Sequence, residues 1–138
     1  MKKIIFLLSI VFMTSCTYAG NPPAAVQKAF EQKFPNAANV KWDKENAHEY
    51  EASFEWKGDK LSANFSDTGE WLETESPTTF NALPEKVQSV FNASHKGATV
   101  KAVAKIETSK GITKFEVEIK QGVKTVEFFY NSDGTEAK

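Results

Sequence analysis

The sequence predicts an α+β fold made of two tandem helix-plus-antiparallel-sheet repeats, with the helices on one sheet face and the other face open. Two echoes carry this expectation. Pro23-Ala24-Ala25-Val26-Gln27-Lys28-Ala29-Phe30 returns 61 residues later as Pro84-Glu85-Lys86-Val87-Gln88-Ser89-Val90-Phe91. Phe65-Ser66-Asp67-Thr68-Gly69 returns 65 residues later as Tyr130-Asn131-Ser132-Asp133-Gly134. Between those anchors Tyr50, Ala52 and Phe54 correspond to Phe115, Val117 and Ile119. Self-similarity at a fixed spacing is the mark of a repeated supersecondary unit. The expected division is a signal peptide over 1–19, a first repeat with its linker over 20–79, and a second repeat over 80–138.

The leader comes first. Lys2-Lys3 precede an apolar run from Ile4 to Met13 broken only by Ser9, which is too short to span a bilayer. Small and polar residues follow, as in a secretory signal peptide. Two cleavage sites compete. Met13-Thr14-Ser15-Cys16 resembles a lipobox, which would make Cys16 a lipid-attachment residue and the protein a membrane-anchored lipoprotein. Thr17-Tyr18-Ala19 would instead direct cleavage before Gly20 and leave a soluble chain, periplasmic or extracellular.

The first helix is expected from Pro22 or Pro23 to Phe34. Val26, Phe30 and Phe34 recur every four residues and make one apolar stripe. Proline is tolerated in the first turn because its missing N–H would have no helical acceptor. Pro35 biases Phe34 out of helical geometry and closes the segment. A short strand over 39–43 carries Val40 and Trp42. The next strand alternates Tyr50, Ala52, Phe54 and Trp56 with Glu49, Glu51, Ser53 and Glu55, a period of two. Lys57-Gly58-Asp59 turns the chain into a strand with Leu61, Ala63 and Phe65 inward. Asp67-Thr68-Gly69 turns it again, and a short strand runs from Trp71 to Thr74. Trp71 and Leu72 must face opposite sides, so one of them shows on the open face.

The second unit repeats the scheme. A helix is expected over 84–94, with Val87, Val90 and Phe91 apolar, and strands over 99–107, 113–120 and 124–130. Phe115, Val117 and Ile119 point inward; Glu116 and Glu118 point outward. Val103 shares parity with Lys101 and Lys105, and Phe129 with Glu127 and Thr125, so both are expected on the polar face. There they would be anchors of the kind binding surfaces use.

Composition excludes several functions. Beyond the leader, 15 Lys face 18 acids, a net charge of −3, and there is no Arg. That does not suit a nucleic-acid binder. The only Cys is Cys16, so the folded part has no disulfide and no thiolate chemistry. Nine of the eleven Phe and all three Trp lie beyond Gly20 and can build a core without a crosslink. Charge is split: residues 20–79 carry 6 Lys and 11 acids, residues 80–138 carry 9 Lys and 7 acids.

No catalytic set assembles. Asp67-Thr68-Gly69 is the aspartic-protease tripeptide, but that chemistry needs two such loops, and the second unit offers Asp133-Gly134 without Thr. Both read as glycine turns. Residues 131–136 are too short for a calcium loop ending in a bidentate Glu. His48 and His95 have no second ligand at metal spacing. Trp42, Trp56 and Trp71 read as core or core rim rather than a stacking platform. The expectation is therefore no enzyme, no metal and no cofactor.

One resemblance is specific. Pro23-x-x-Val26-x-x-x-Phe30, Phe34-Pro35, Val40-Lys41-Trp42, the alternating Tyr50–Phe54 strand and Phe65-x-Asp67-x-Gly69-x-Trp71-Leu72 resemble the PepSY-like family of exported bacterial proteins, which are similar in fold to the tandem-repeat β-lactamase inhibitory protein. In the second unit Ala102 is expected where Trp42 stands, and His95 where Phe34 stands. The resemblance implies a non-enzymatic, inhibitor-like binding module of the cell envelope whose partner is another envelope protein or peptide. The alternative is a structural or stress-related envelope protein with no defined ligand. The partner-binding face is expected to carry Glu51, Glu55, Val103, Glu116, Glu118 and Phe129.

Overall fold

Alternating aromatic strands need a cover for their apolar side, and two short helices provide it. The computed structural model describes residues 21–137. Cys16 and the junction before Gly20 lie outside them. The elements run α1 (Ala24–Lys33), β1 (Ala38–Asn46), β2 (Glu49–Trp56), β3 (Asp59–Ser66), β4 (Trp71–Pro77), α2 (Glu85–Ser94), β5 (Thr99–Thr108), β6 (Thr113–Gln121) and β7 (Lys124–Asn131). A single 3₁₀ turn at Phe80–Ala82 precedes α2. All seven strands form one antiparallel sheet in the order of the chain, β1 to β7. The expected pair of sheets is thus one sheet, because β4 pairs directly with β5.

Two cores lie under the helices. Val26, Phe30 and Phe34 pack against Ala52, Phe54, Ala63 and Phe65. Leu83, Val87 and Phe91 pack against Val103, Phe115, Val117, Ile119 and Tyr130. Phe30 meets Phe54 edge-to-face with ring centroids 4.8 Å apart, a geometry aromatic pairs favour. All three Trp serve the first core. Trp42, Trp56 and Trp71 pack against its rim. Trp71 Nε1–H donates to Thr74 Oγ1 at 2.9 Å, and Lys33 Nζ sits 3.4 Å from the Trp71 ring centroid. Leu72 is therefore the one that turns to the open side.

The helices end alike. The amide of Phe34 donates to Phe30 O, and that of His95 to Phe91 O, each at 2.8 Å. The His95 ring lies against that of Phe128, with centroids 3.9 Å apart and planes tilted by 42°. The glycine turns also meet the helices alike. Gly69 (φ +90°) lies so close to α1 that a Cβ there would stand 2.7 Å from Ala25 O; at Gly134 (φ +85°) it would stand 2.9 Å from Lys86 O. Only glycine accepts both the dihedral and the approach. These contacts give both glycine turns a structural part in seating the helices.

Val103 corrects an expectation. It is 7% exposed and belongs to the second core. The ladder between β5 and β6 slips between Val100 and Ala102. Lys101 falls in that irregularity, so its charge reports nothing about Val103. A bulge of this kind adds a residue and reverses the facing of every later residue in the strand. Val103 stands opposite Val117 as Trp42 stands opposite Ala52. Val103, not Ala102, thus holds the place that corresponds to Trp42.

Candidate functional site

The face away from the helices can be laid out from strand register, because directly opposed residues share a face. One row reads Asp43, Glu51, Asn64, Glu73 and Thr108. The next reads Lys41, Ser53, Ser62, Glu75, Ile106, Lys114 and Asn131. A third reads Pro77, Ala104, Glu116 and Phe129. A fourth reads Ala102, Glu118 and Glu127.

The sheet curls around this face. Among the neighbours that raise the Glu127 carboxyl is Glu45. Those residues sit on β7 and β1, six strand spacings apart, or roughly 29 Å in a flat sheet. Half-buried charges are screened less than exposed ones, but their interaction still falls with distance and would be weak across such a span. Glu51 of β2 likewise acts on Glu116 of β6, four spacings away. The face is a trough. Ile106, on its floor, is only 2% exposed although no helix covers it.

Electrostatics follow from this shape. Burial, then repulsion from Glu75, Glu127, Glu118 and Glu51, pushes the Glu116 carboxyl up to about 8. Burial, then Glu73, Glu51 and Glu127, pushes Glu75 up to about 7, with the Ser62 hydroxyl acting against the rise. Ser62 Oγ donates to Glu75 Oε2 at 3.5 Å. Glu51, Glu73 and Glu127 are raised as well, each chiefly by burial. Lys114 opposes the rise at Glu73. One ligand atom from each of Glu116, Glu118 and Glu127 lies within 4.8 Å of the others. By donor chemistry these three could hold a hard divalent cation. At one end the trough opens into a cleft of about 340 Å³ in which Leu72 and Ile112 stand among the charged Glu49, Glu73, Lys110 and Lys114.

The structure brings together four of the six residues expected at the binding face. Glu51, Glu116 and Glu118 are in the carboxylate group, and Phe129 stands half-buried opposite Glu116. Glu55 is on the face but at its rim, where Asn39 Nδ2–H donates to its Oε2 at 3.0 Å. Val103 lies on the other side. Glu73, Glu75 and Ile106 join the face without having been expected there, whereas Glu127 was placed on it without being singled out as a site residue. The parity it shares with Phe129 is the signal for that placement. Glu75 is hidden in the sequence because β4 runs three residues past Thr74.

What the face can do is bind cations and protons. Its described residues include carboxylates, Ser62 and Asn64, with neither His nor Cys in any row. No helix among the described residues is long and apolar enough to cross a membrane.

The family model described as "Putative beta-lactamase-inhibitor-like, PepSY-like" matches residues 19–62 and 48–136. The fold is similar to that of a BLIP-like protein from Bacteroides fragilis, 28% identical, over 85% of this chain and 84% of that one, with a TM-score of 0.64. A DUF2874 family protein from Bacteroides ovatus is 24% identical over 86% of each chain, TM-score 0.70. A structure described as "putative periplasmic proteins" from Bacteroides eggerthii is 20% identical over 86% of this chain and 88% of that one, TM-score 0.74. The last two likenesses are of fold alone. Among curated proteins none is significantly similar.

Proposed function

Because the chain belongs to the PepSY-like, β-lactamase-inhibitor-like family, we propose that it is a non-enzymatic, exported binding module of the bacterial cell envelope. It engages another envelope protein or peptide through the sheet face its helices leave uncovered. The observation that carries this reading is the trough itself: half-buried carboxylates and Phe129 line a curved face that no element of the described chain covers. Buried charges are ordinarily paired. A folded chain that crowds them together without enough counter-charge is built for something that arrives later.

The family's inhibitor-like description supports the reading by analogy of fold, which carries less weight than a site. We also read the chain as two copies of one unit, 20–79 and 80–138, joined edge to edge. The matched helix ends and the two glycine turns against Ala25 and Lys86 support this. The leader and the periplasmic description of one similar structure support export, with the chain shortened before Cys16 or before Gly20. The intact mass of the natively produced protein distinguishes a lipoprotein from a soluble form.

The direct test is crosslinking in the producing cell. A photo-reactive residue at Phe129 should capture a partner, and one at Val90, exposed on α2, should not. Capture only at Val90 would place the binding surface on the helix side and refute the reading.

A further inference from the structure

We propose that the segment this trough accepts is a cationic, extended stretch of another protein, with basic side chains over Glu75, Glu116 and Glu127 and an apolar side chain in the cleft beside Leu72 and Ile112. This rests on the uncovered face being the binding surface.

Charge complementarity sets the sign. The four rows hold Asp43, Glu51, Glu73, Glu75, Glu116, Glu118 and Glu127 against Lys41 and Lys114. The middle of the trough is the most one-sided part. Glu75 is repelled by Glu73, Glu51 and Glu127, and Glu116 by Glu75, Glu127, Glu118 and Glu51. An arriving ammonium or guanidinium would relieve several of these repulsions at once. An acidic segment would add to them.

Shape sets the rest. We read the groove as running parallel to the strands, because the carboxylates that act on one another lie on strands far apart in the sheet order. It is as long as an eight-residue strand such as β3, roughly 26 Å. From the cleft end a visitor passes Leu72 and Ile112, then Glu75 and Ile106, then Glu116 and Phe129, then Glu118 and Glu127. The groove thus passes from apolar at the cleft end to acidic at the other, with Ile106 and Phe129 beside Glu75 and Glu116 between. An extended segment of about eight residues, with one large apolar side chain followed by basic ones, fits that sequence.

The test uses the protein expressed with its leader and purified after export. Three synthetic ten-residue peptides of matched apolar content are titrated: Lys/Arg-rich, neutral and Glu/Asp-rich. The variants are Glu75→Gln/Glu116→Gln/Glu127→Gln and, as a control off the face, Glu107→Gln. Removing mutually repelling charges leaves the variant folded. The expected result is binding of the basic peptide alone, weaker in salt, weaker by about tenfold or more in the triple variant, and unchanged in the control.

Equal binding of neutral or acidic peptides, with the same sensitivity to the triple variant, overturns the cationic partner and leaves the face reading intact. Basic-peptide binding that ignores the triple variant overturns both. Calcium binding abolished by the triple variant, with no peptide bound, makes the face a cation site and overturns the proposal. So does a dimer by sedimentation that disappears in the triple variant, which would make the occupant a second copy of this chain.

Discussion

Glu118 and Glu127 stand directly opposite one another across β6 and β7. Like charges in that position are destabilising, and here Glu116 brings a third carboxylate oxygen within 4.8 Å of theirs. The pairing is the sharpest sign that the trough is arranged for something other than the stability of the isolated chain.

That arrangement makes stability fall with pH. The Glu116 carboxyl is pushed up to about 8 and Glu75 to about 7, from an ordinary value of 4.5. Both groups hold protons in the folded state that the unfolded chain releases over that interval. Their contribution is fully present below the ordinary value and is lost as pH rises through the folded ones. Thermal melts in low salt should show a Tm that declines between about pH 5 and about pH 9. A Tm that climbs across that interval contradicts the burial and crowding of these groups.

Glu116→Gln should lessen that slope and leave the share of Glu75. It keeps the shape and deletes one repelling charge. Near pH 9 it should stabilise the protein by about 1 kcal/mol, and near pH 5 it should change little. Urea unfolding at the two pH values measures both. A variant less stable at high pH would mean that the Glu116 carboxylate is held by a favourable contact.

Ile106 should behave as a core residue even though it faces away from both helices. At 2% exposure, Ile106→Ala should cost about 2–4 kcal/mol. Phe129→Ala, on the same face but half-buried at its flank, should cost about 1 kcal/mol or less. Chemical denaturation of the two variants side by side gives the comparison. Equal losses would place Phe129 in a core and remove it as a partner contact.

Gly69→Ala should be far more harmful than Gly58→Ala. Both glycines have positive φ, but a Cβ at Gly58 meets nothing within 4 Å, whereas at Gly69 it meets Ala25 O at 2.7 Å. Losing the glycine at Gly58 should cost about 1 kcal/mol. Losing it at Gly69 should cost about 3 kcal/mol or more, since the turn or the start of α1 must move. Similar losses would mean that α1 is not held by this turn.

Much of the fold was legible because local patterns were strong. Val26, Phe30 and Phe34 announced the α1 stripe, and the alternation from Tyr50 to Trp56 announced both the strand and its facing. The site was less legible. Its carboxylates come from β2, β4, β6 and β7, so they meet only through the curvature of the sheet, which no local pattern encodes. Two local signals also misled. Lys105 shares the parity of core residues and sits half-buried, pairing with Glu107. Lys101 sits at a ladder irregularity. Together they gave Val103 the look of a surface residue and concealed Ile106 on the open side.

The strictly sequential strand order has a mechanical meaning. Every strand hydrogen-bonds only to its neighbours in the chain, so the pairs within β1–β4 and within β5–β7 each close a short loop and can zip up quickly, while the β4–β5 pair must close the longer segment that carries α2. Tension applied at the two edge strands would act across the ladders and peel them one at a time, rather than shearing them all together. A partner seated in the trough would touch β4, β6 and β7 at once. It would turn a structure that unzips piecemeal into one that yields as a block.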